Sequence, residues 1–200
     1  LAMMACGDGW IRRPHLHVVK MHGWNRGMVW QDLGMSWRRT SPNIPNANSP
    51  FGYATTSFLG GTSGGDVGIG TSDPFCYAGA TSGINPQALA SIASRWGFSG
   101  ISFTPYSGRG GSGVHLSINP RASSSLTALD VYLLAELNRM KGGTLVSRMH
   151  GDHLNLFNKV YGGDGLYRDL LHGVPASRIV ASWSGYESSF RGRRQRFLLY

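Results

Sequence analysis

Two stretches of alternating apolar and polar residues stand close together near the middle of the chain. Ile101-Ser102-Phe103-Thr104 and Val114-His115-Leu116-Ser117-Ile118 each put their apolar side chains on one face of a strand, so the two are expected to pair. The intervening Arg109 to Gly113 reads as a flexible, glycine-rich turn. Leu16 to Met21 (LHVVKM), centred on Val18 and Val19, is expected as a further short strand, and Phe75 to Ala80 as another. Helical spacing takes over elsewhere. Asn85-Pro86 pairs an N-cap with proline at the first helical position; Leu89, Ile92, Ala93 and Trp96 follow on one face, and Gly97 stops the helix. Leu126, Leu129, Leu133, Leu137 and Met140 make an apolar stripe behind the serines at 123–125, which predicts a helix over 125–140. Short helices are expected over 153–161 and 166–171. A last one should open at Pro175, with Ile179, Trp183, Tyr186 and Phe190 on one face.

From Thr40 to Thr71 neither period is sustained. This stretch carries Pro42, Pro45 and Pro50, then six glycines between Gly60 and Gly70, with Ile44, Phe51, Tyr53, Phe58, Leu59, Val67 and Ile69 interspersed. Long loops without structure are usually functional or disordered. The apolar residues favour an ordered, packed loop. The order of elements predicts an α/β (α+β) domain: a small mixed sheet, flanking helices and a long Gly/Pro-rich loop. We expect one domain over 1–200, with a binding-loop region at 41–75 and a mainly helical part at 125–196.

Composition narrows the function classes. Of 200 residues, 41% are hydrophobic, which supports a real core, while 14% charged is low and 29 glycines are many; a coiled coil or helical bundle is excluded. The net charge of +9 comes from scattered arginines, with one dense run at Arg191, Arg193, Arg194 and Arg196. No nucleic-acid-binding motif accompanies it, so nucleic acid is not the expected partner. Two cysteines, Cys6 and Cys76, make neither a disulfide scaffold nor a cysteine zinc site. No apolar run reaches the length of a membrane span. The chain begins at Leu1 within a helix-like segment, which suggests preceding residues.

Candidate chemistry is sparse. Only ten acids are present, and no pair of them stands out for glycoside chemistry, which usually needs two carboxyl groups. His150-Gly151-Asp152-His153 reads as a turn before a helix rather than a metal site, since a third ligand is missing. No metal or cofactor is expected. The glycines at 64–70 lack the Gly-Lys-Ser/Thr ending of a phosphate loop. The 41–75 stretch offers neutral donors and acceptors (Ser41, Asn43, Asn46, Asn48, Thr55, Thr56, Thr71) beside flat aromatic faces (Trp24, Trp37, Phe51, Tyr53, Phe75). Sugars are held by such mixtures. The same polar groups also suit satisfaction of the loop's own backbone.

Several ordered motifs carry a resemblance. They are the run from Met21 to Met28 (MHGWNRGM), Leu33-Gly34 with Trp37, Thr40 to Pro45 (TSPNIP), Ser49-Pro50 with Tyr53, and Gly68-Ile69-Gly70-Thr71 before Pro74-Phe75. Gly79-Ala80, Phe103 to Tyr106, Gly113 to Leu116 and the terminal Phe190, Arg194 and Leu198-Leu199-Tyr200 continue the series. In this order they resemble the C-terminal half of the exo-β-N-acetylmuramidase family, over nearly the whole chain. The resemblance implies a Rossmann-like N-terminal domain, absent from this chain, and an active site in the cleft between two domains. It also implies release of N-acetylmuramic acid from peptidoglycan fragments, in the periplasm or outside a bacterial cell. The principal catalytic glutamates would come from the N-terminal domain. This half would supply the binding wall, with Trp24, Arg26, Ser41, Asn43, Tyr53, Gly70, Thr71 and Phe75 as contacts, and Tyr53 and Tyr77 as accessory catalytic candidates. Oligomerisation is left open. Many members carry Glu-Gly-Thr-Asn and Gly-Arg-Gly-Thr where this chain has Leu59-Gly60-Gly61-Thr62 and Gly68-Ile69-Gly70-Thr71. The missing Glu and Arg support an alternative, a non-catalytic relative that binds cell-wall sugars or assembles with a partner.

Overall fold

The computed structural model describes residues 1–12, 14–108 and 110–200. In chain order the helices are α1 (Ala2–Gly7), α2 (Ser49–Gly60), α3 (Pro86–Ala93), α4 (Leu126–Met140), α5 (Thr144–Ser147), α6 (Gly151–Tyr161), α7 (Gly165–Leu171), α8 (Ala176–Ala181) and α9 (Ser184–Arg194). The strands are β1 (Gly65–Asp66), β2 (Tyr77–Ala80), β3 (Ile101–Gly108) and β4 (Gly111–Ile118). The chain divides into two compact units, one formed by 1–34 with 181–200 and the other by 35–180.

The larger unit is a four-stranded sheet of order β1-β2-β4-β3, antiparallel throughout. The expected hairpin is present: Phe103 faces Leu116 and Thr104 faces His115. It runs further than the alternation showed, because β4 begins at Gly111 and takes in most of the predicted turn; Arg109 lies outside the described residues. Alternation gives the sheet two unlike faces. Ala78, Ala80, Val114 and Leu116 are buried on one face, and α2, α3 and α4 pack against it. Leu129, Leu133 and Leu137 of α4 are fully buried there, each stabilising the fold by about 1.5–3 kcal/mol. Both predicted caps are made: Asn85 Oδ1 accepts the Ala88 N–H at 3.0 Å, and Ser125 Oγ that of Ala128 at 3.3 Å.

The aperiodic stretch, expected as an ordered loop, contains a twelve-residue helix, α2. Its buried positions include Ser49, Gly52, Thr55 and Thr56 beside Phe58 and Leu59, so no apolar stripe marks it. Each threonine hydroxyl donates back into the helix, Thr55 to Phe51 O (2.8 Å) and Thr56 to Gly52 O (3.2 Å), which makes the polar side chains compatible with burial. Asn46 Oδ1 organises the start, accepting from the Asn48 and Ser49 N–H groups at 2.9 and 3.0 Å. Near the other end, the fully buried Asp130 of α4 accepts from Phe58 N (2.8 Å), Leu59 N (3.3 Å) and Ser57 Oγ (3.4 Å).

In the smaller unit, Asp8 receives Arg196 Nη2 at 2.8 Å and Arg193 Nε at 3.4 Å, so half of the dense arginine run holds the end of α1. The expected strand at 16–21 is not formed. No strand among the described residues offers this segment a ladder, and Val19 is 93% exposed. The expected C-terminal helix is two, α8 and α9, broken at Ser182–Trp183. Among the described residues no helix is long and apolar enough to cross a membrane.

Candidate functional site

The polar face of the sheet gathers groups that are far apart in sequence. Register sets Tyr77, His115 and Thr104 side by side across β2, β4 and β3. The next row is Asp66, Gly79, Gly113 and Tyr106. The two glycines carry no side chain, and both are buried in the middle of that row. They are required by packing: a Cβ on Gly113 would collide with the Ala78 carbonyl and the Gly79 backbone.

The 67–75 loop folds onto this face. The Phe75 N–H donates to Val67 O at 2.7 Å and closes the loop; Thr71 Oγ1 donates to Gly68 O at 2.7 Å. Phe75 has φ +68, a left-handed conformation costly for a side-chain-bearing residue and found most often where the surroundings impose it. Its carbonyl accepts Thr56 Oγ1 at 3.0 Å, and its backbone lies where a Cβ on Gly52 would reach within 2.8 Å. The result is a fixed position for Asp73, whose Oδ1 accepts the Asn46 amide at 3.2 Å and whose Oδ2 lies 3.1 Å from His115 Nε2.

Aromatic rings complete the cluster. Tyr77 packs against His115 (ring centroids 4.7 Å apart) and Tyr106 (4.5 Å), and its ring lies over Gly68, which has φ +74. Burial, then the negative charges of Asp73 and Asp66, raise the Tyr77 hydroxyl's pKa; burial and Asp66 do the same for Tyr106. Both phenols are therefore neutral donors. Burial, with Asp73 beside it, pushes the Cys76 thiol up to about 12. Asp66 Oδ1 accepts the Gly68 N–H at 2.9 Å, while its buried Oδ2 has no partner among the described residues.

The predicted site residues fall into separate groups. Tyr53, about half exposed, stands edge-on to Phe75 at 4.9 Å. Thr71, Gly70, Phe75 and Tyr77 belong to the loop and strand just described. Ser41 and Asn43 form a tight turn, in which Ser41 O accepts the Ile44 N–H at 3.0 Å. Trp24 and Arg26 belong to the smaller unit, where Trp24 packs on Tyr200 at 4.8 Å and Arg26 is exposed. Asp66, Asp73, Tyr106 and His115 were not singled out from the sequence. His115 and Tyr106 had a signal there: each is a bulky polar or amphipathic residue on the outward phase of its strand. The His150–His153 segment is the start of α6, and among the described residues no three metal-ligating side chains converge. A cavity of about 670 Å³ lies away from this face, lined by Trp96, Tyr132, Glu136, Arg139, Leu171 and 173–177. Its charged groups satisfy each other, Arg139 forking onto Glu136 at 3.1 and 2.6 Å.

The chain matches two neighbouring family models: exo-beta-N-acetylmuramidase NamZ, N-terminal, over residues 1–48, and exo-beta-N-acetylmuramidase NamZ, C-terminal, over residues 51–200. It is 25% identical over 197 residues to the peptidoglycan beta-N-acetylmuramidase NamZ of Bacillus subtilis, covering 92% of this chain and 45% of that protein. Its fold is similar to the crystal structure of a DUF1343 family protein from Bacteroides fragilis, with TM-score 0.88 and 26% identity, covering 100% of this chain and 54% of that one. The chain thus spans about half the length of these relatives.

Proposed function

This chain belongs to the exo-beta-N-acetylmuramidase NamZ family, and on that footing we propose that it is part of a glycosidase that releases N-acetylmuramic acid from peptidoglycan fragments. Its share of the work is to hold the sugar. The observation that carries this reading is the polar sheet face itself, which gathers neutral phenols, an imidazole and carboxylate acceptors. Sugar hydroxyls need directional partners of both kinds.

The acids support the division of labour. Glycoside hydrolysis takes one carboxyl group to protonate the leaving oxygen and a second to attack or to activate water. Asp130 is sealed in the core by three donors, and Asp73 is committed to His115 and Asn46. As the family resemblance implies, the principal carboxylates are assigned to a part of the protein outside this chain. Tyr53 and Tyr77 serve as accessory groups beside the reacting sugar, and Ser41, Asn43, Gly70, Thr71 and Phe75 shape the wall.

A second reading, a non-catalytic binder of cell-wall sugar, draws on two positions. The positions around Gly60 and Ile69, the latter 52% exposed, stand where many members carry Glu and Arg. Incubating the full-length protein with a muropeptide and following free N-acetylmuramic acid separates the two. Release supports the enzyme; binding without release supports the second reading.

A further inference from the structure

His115 sits in the middle of the polar face with one ring nitrogen used and the other available. An ionised carboxylate only accepts, so the 3.1 Å contact with Asp73 Oδ2 places the proton on Nε2. Asp73 is itself immobilised, by the Asn46 amide on its other oxygen and by the Cys76 thiol. The Tyr77 ring against the imidazole sets the plane of the ring. In the neutral imidazole, Nδ1 is then an acceptor, and it has no hydrogen-bond partner among the described residues. The His115 side chain is 32% exposed, between Tyr77 and Thr104 in its own row and next to the row of Asp66, Gly79, Gly113 and Tyr106. The titratable groups that face His115 on this side of the sheet, Asp66, Asp73, Tyr77 and Tyr106, do not supply Nδ1 with a donor.

We infer that His115 is a direct substrate contact, its Nδ1 accepting a hydroxyl or amide proton from an N-acetylated pyranose, with Asp73 as the positioning residue that fixes the tautomer. This rests on the sugar-binding reading above. It adds a specificity-determining residue: a ring that lacks a donor at that point leaves the acceptor unpaired, which is where binding sites discriminate most strongly.

The experiment is a long-range ¹H–¹⁵N spectrum of the histidines in the full-length protein at pH 8, free and saturated with N-acetylmuramic acid. The free protein should show His115 as the Nε2–H tautomer, and saturation should move Nδ1 upfield while the tautomer stays. His115→Gln keeps the group that meets Asp73 and loses Nδ1, so its Kd should rise about tenfold. His115→Asn, which keeps an acceptor near the Nδ1 position, should bind within about threefold of the parent. An Nδ1–H tautomer overturns the inference. So does an unmoved Nδ1 when other resonances, such as the Thr71 amide, respond to the sugar; that outcome leaves the sugar reading standing. No response anywhere in the spectrum removes the sugar reading and this inference together. The tautomer and the Nδ1 shift are read on the parent protein, so they decide the matter even where a variant fails to fold.

Discussion

The carboxylate of Asp130, in the middle of α4, accepts the backbone N–H of Phe58 in α2 at 2.8 Å, with no exposure to solvent. It also takes the Leu59 N–H, so one side chain satisfies two amides and joins the two best-packed helices of the larger unit. Burial pushes its pKa well above the usual carboxylate range, against the pull of these donors. Asp130→Ala removes these hydrogen bonds from a fully buried site, so urea denaturation should show a loss of about 1–3 kcal/mol. A loss under about 0.5 kcal/mol would mean that α2 satisfies these amides on its own.

Cys76 and Cys6 are both free thiols, the first buried, the second partly exposed. With its pKa near 12, Cys76 carries almost no thiolate at pH 8, and the thiolate is the nucleophile. A disulfide reagent should therefore label Cys6 at least about tenfold faster than Cys76, measured by peptide mapping. The raised value also fixes a pH trend. The fold holds the thiol proton more tightly than the unfolded chain does, so this contribution to stability is complete below the unfolded value of about 9 and is lost as pH rises through about 12. The urea midpoint should fall between about pH 9 and 11, and should fall less in Cys76→Ser. Equal slopes for the two proteins would discard the assignment.

Gly68 must be glycine on two counts. Its φ of +74 disfavours a side chain, and a Cβ would run into the Tyr77 ring. Gly68→Ala should cost about 1–3 kcal/mol and displace Tyr77 from His115. Thermal unfolding reports the first effect, and the His115 ring proton shifts report the second.

The hairpin at 101–118 and the capped helices α3 and α4 were legible in the sequence, because each follows one period and carries its own start signal. The helix α2 was not. Its buried face is built from Gly52, Thr55 and Thr56 as well as Phe58 and Leu59, so close backbone approach rather than apolar area defines it. Leu16 to Met21 has strand composition but no neighbouring ladder among the described residues, and composition alone does not make a strand. The site was half legible. Tyr77 and Phe75 stood out by type and motif, but Asp73 and His115 are 42 positions apart and meet only through the register of β2 on β4 and the closed 67–75 loop. No local pattern encodes that meeting.

Tyr53 is exposed to about half its surface and braced edge-on by Phe75, so its hydroxyl is free to meet a ligand. If that hydroxyl acts on the reacting sugar, Tyr53→Phe should lower kcat by about 10–100-fold with KM changed less than about threefold. Unchanged kcat would discard this role and leave Tyr77 as the accessory tyrosine.

The central claim is that the polar sheet face and its 67–75 loop are the sugar-holding half of a muramidase site. Its most direct measurement is the steady-state release of N-acetylmuramic acid from a chromogenic muramic acid glycoside by the full-length protein, beside the same protein carrying Tyr77→Phe and Tyr106→Phe. The account predicts turnover by the parent and losses of at least about tenfold in kcat/KM for both variants, each shown to be folded. A folded parent without turnover, or variants as active as the parent, would contradict it.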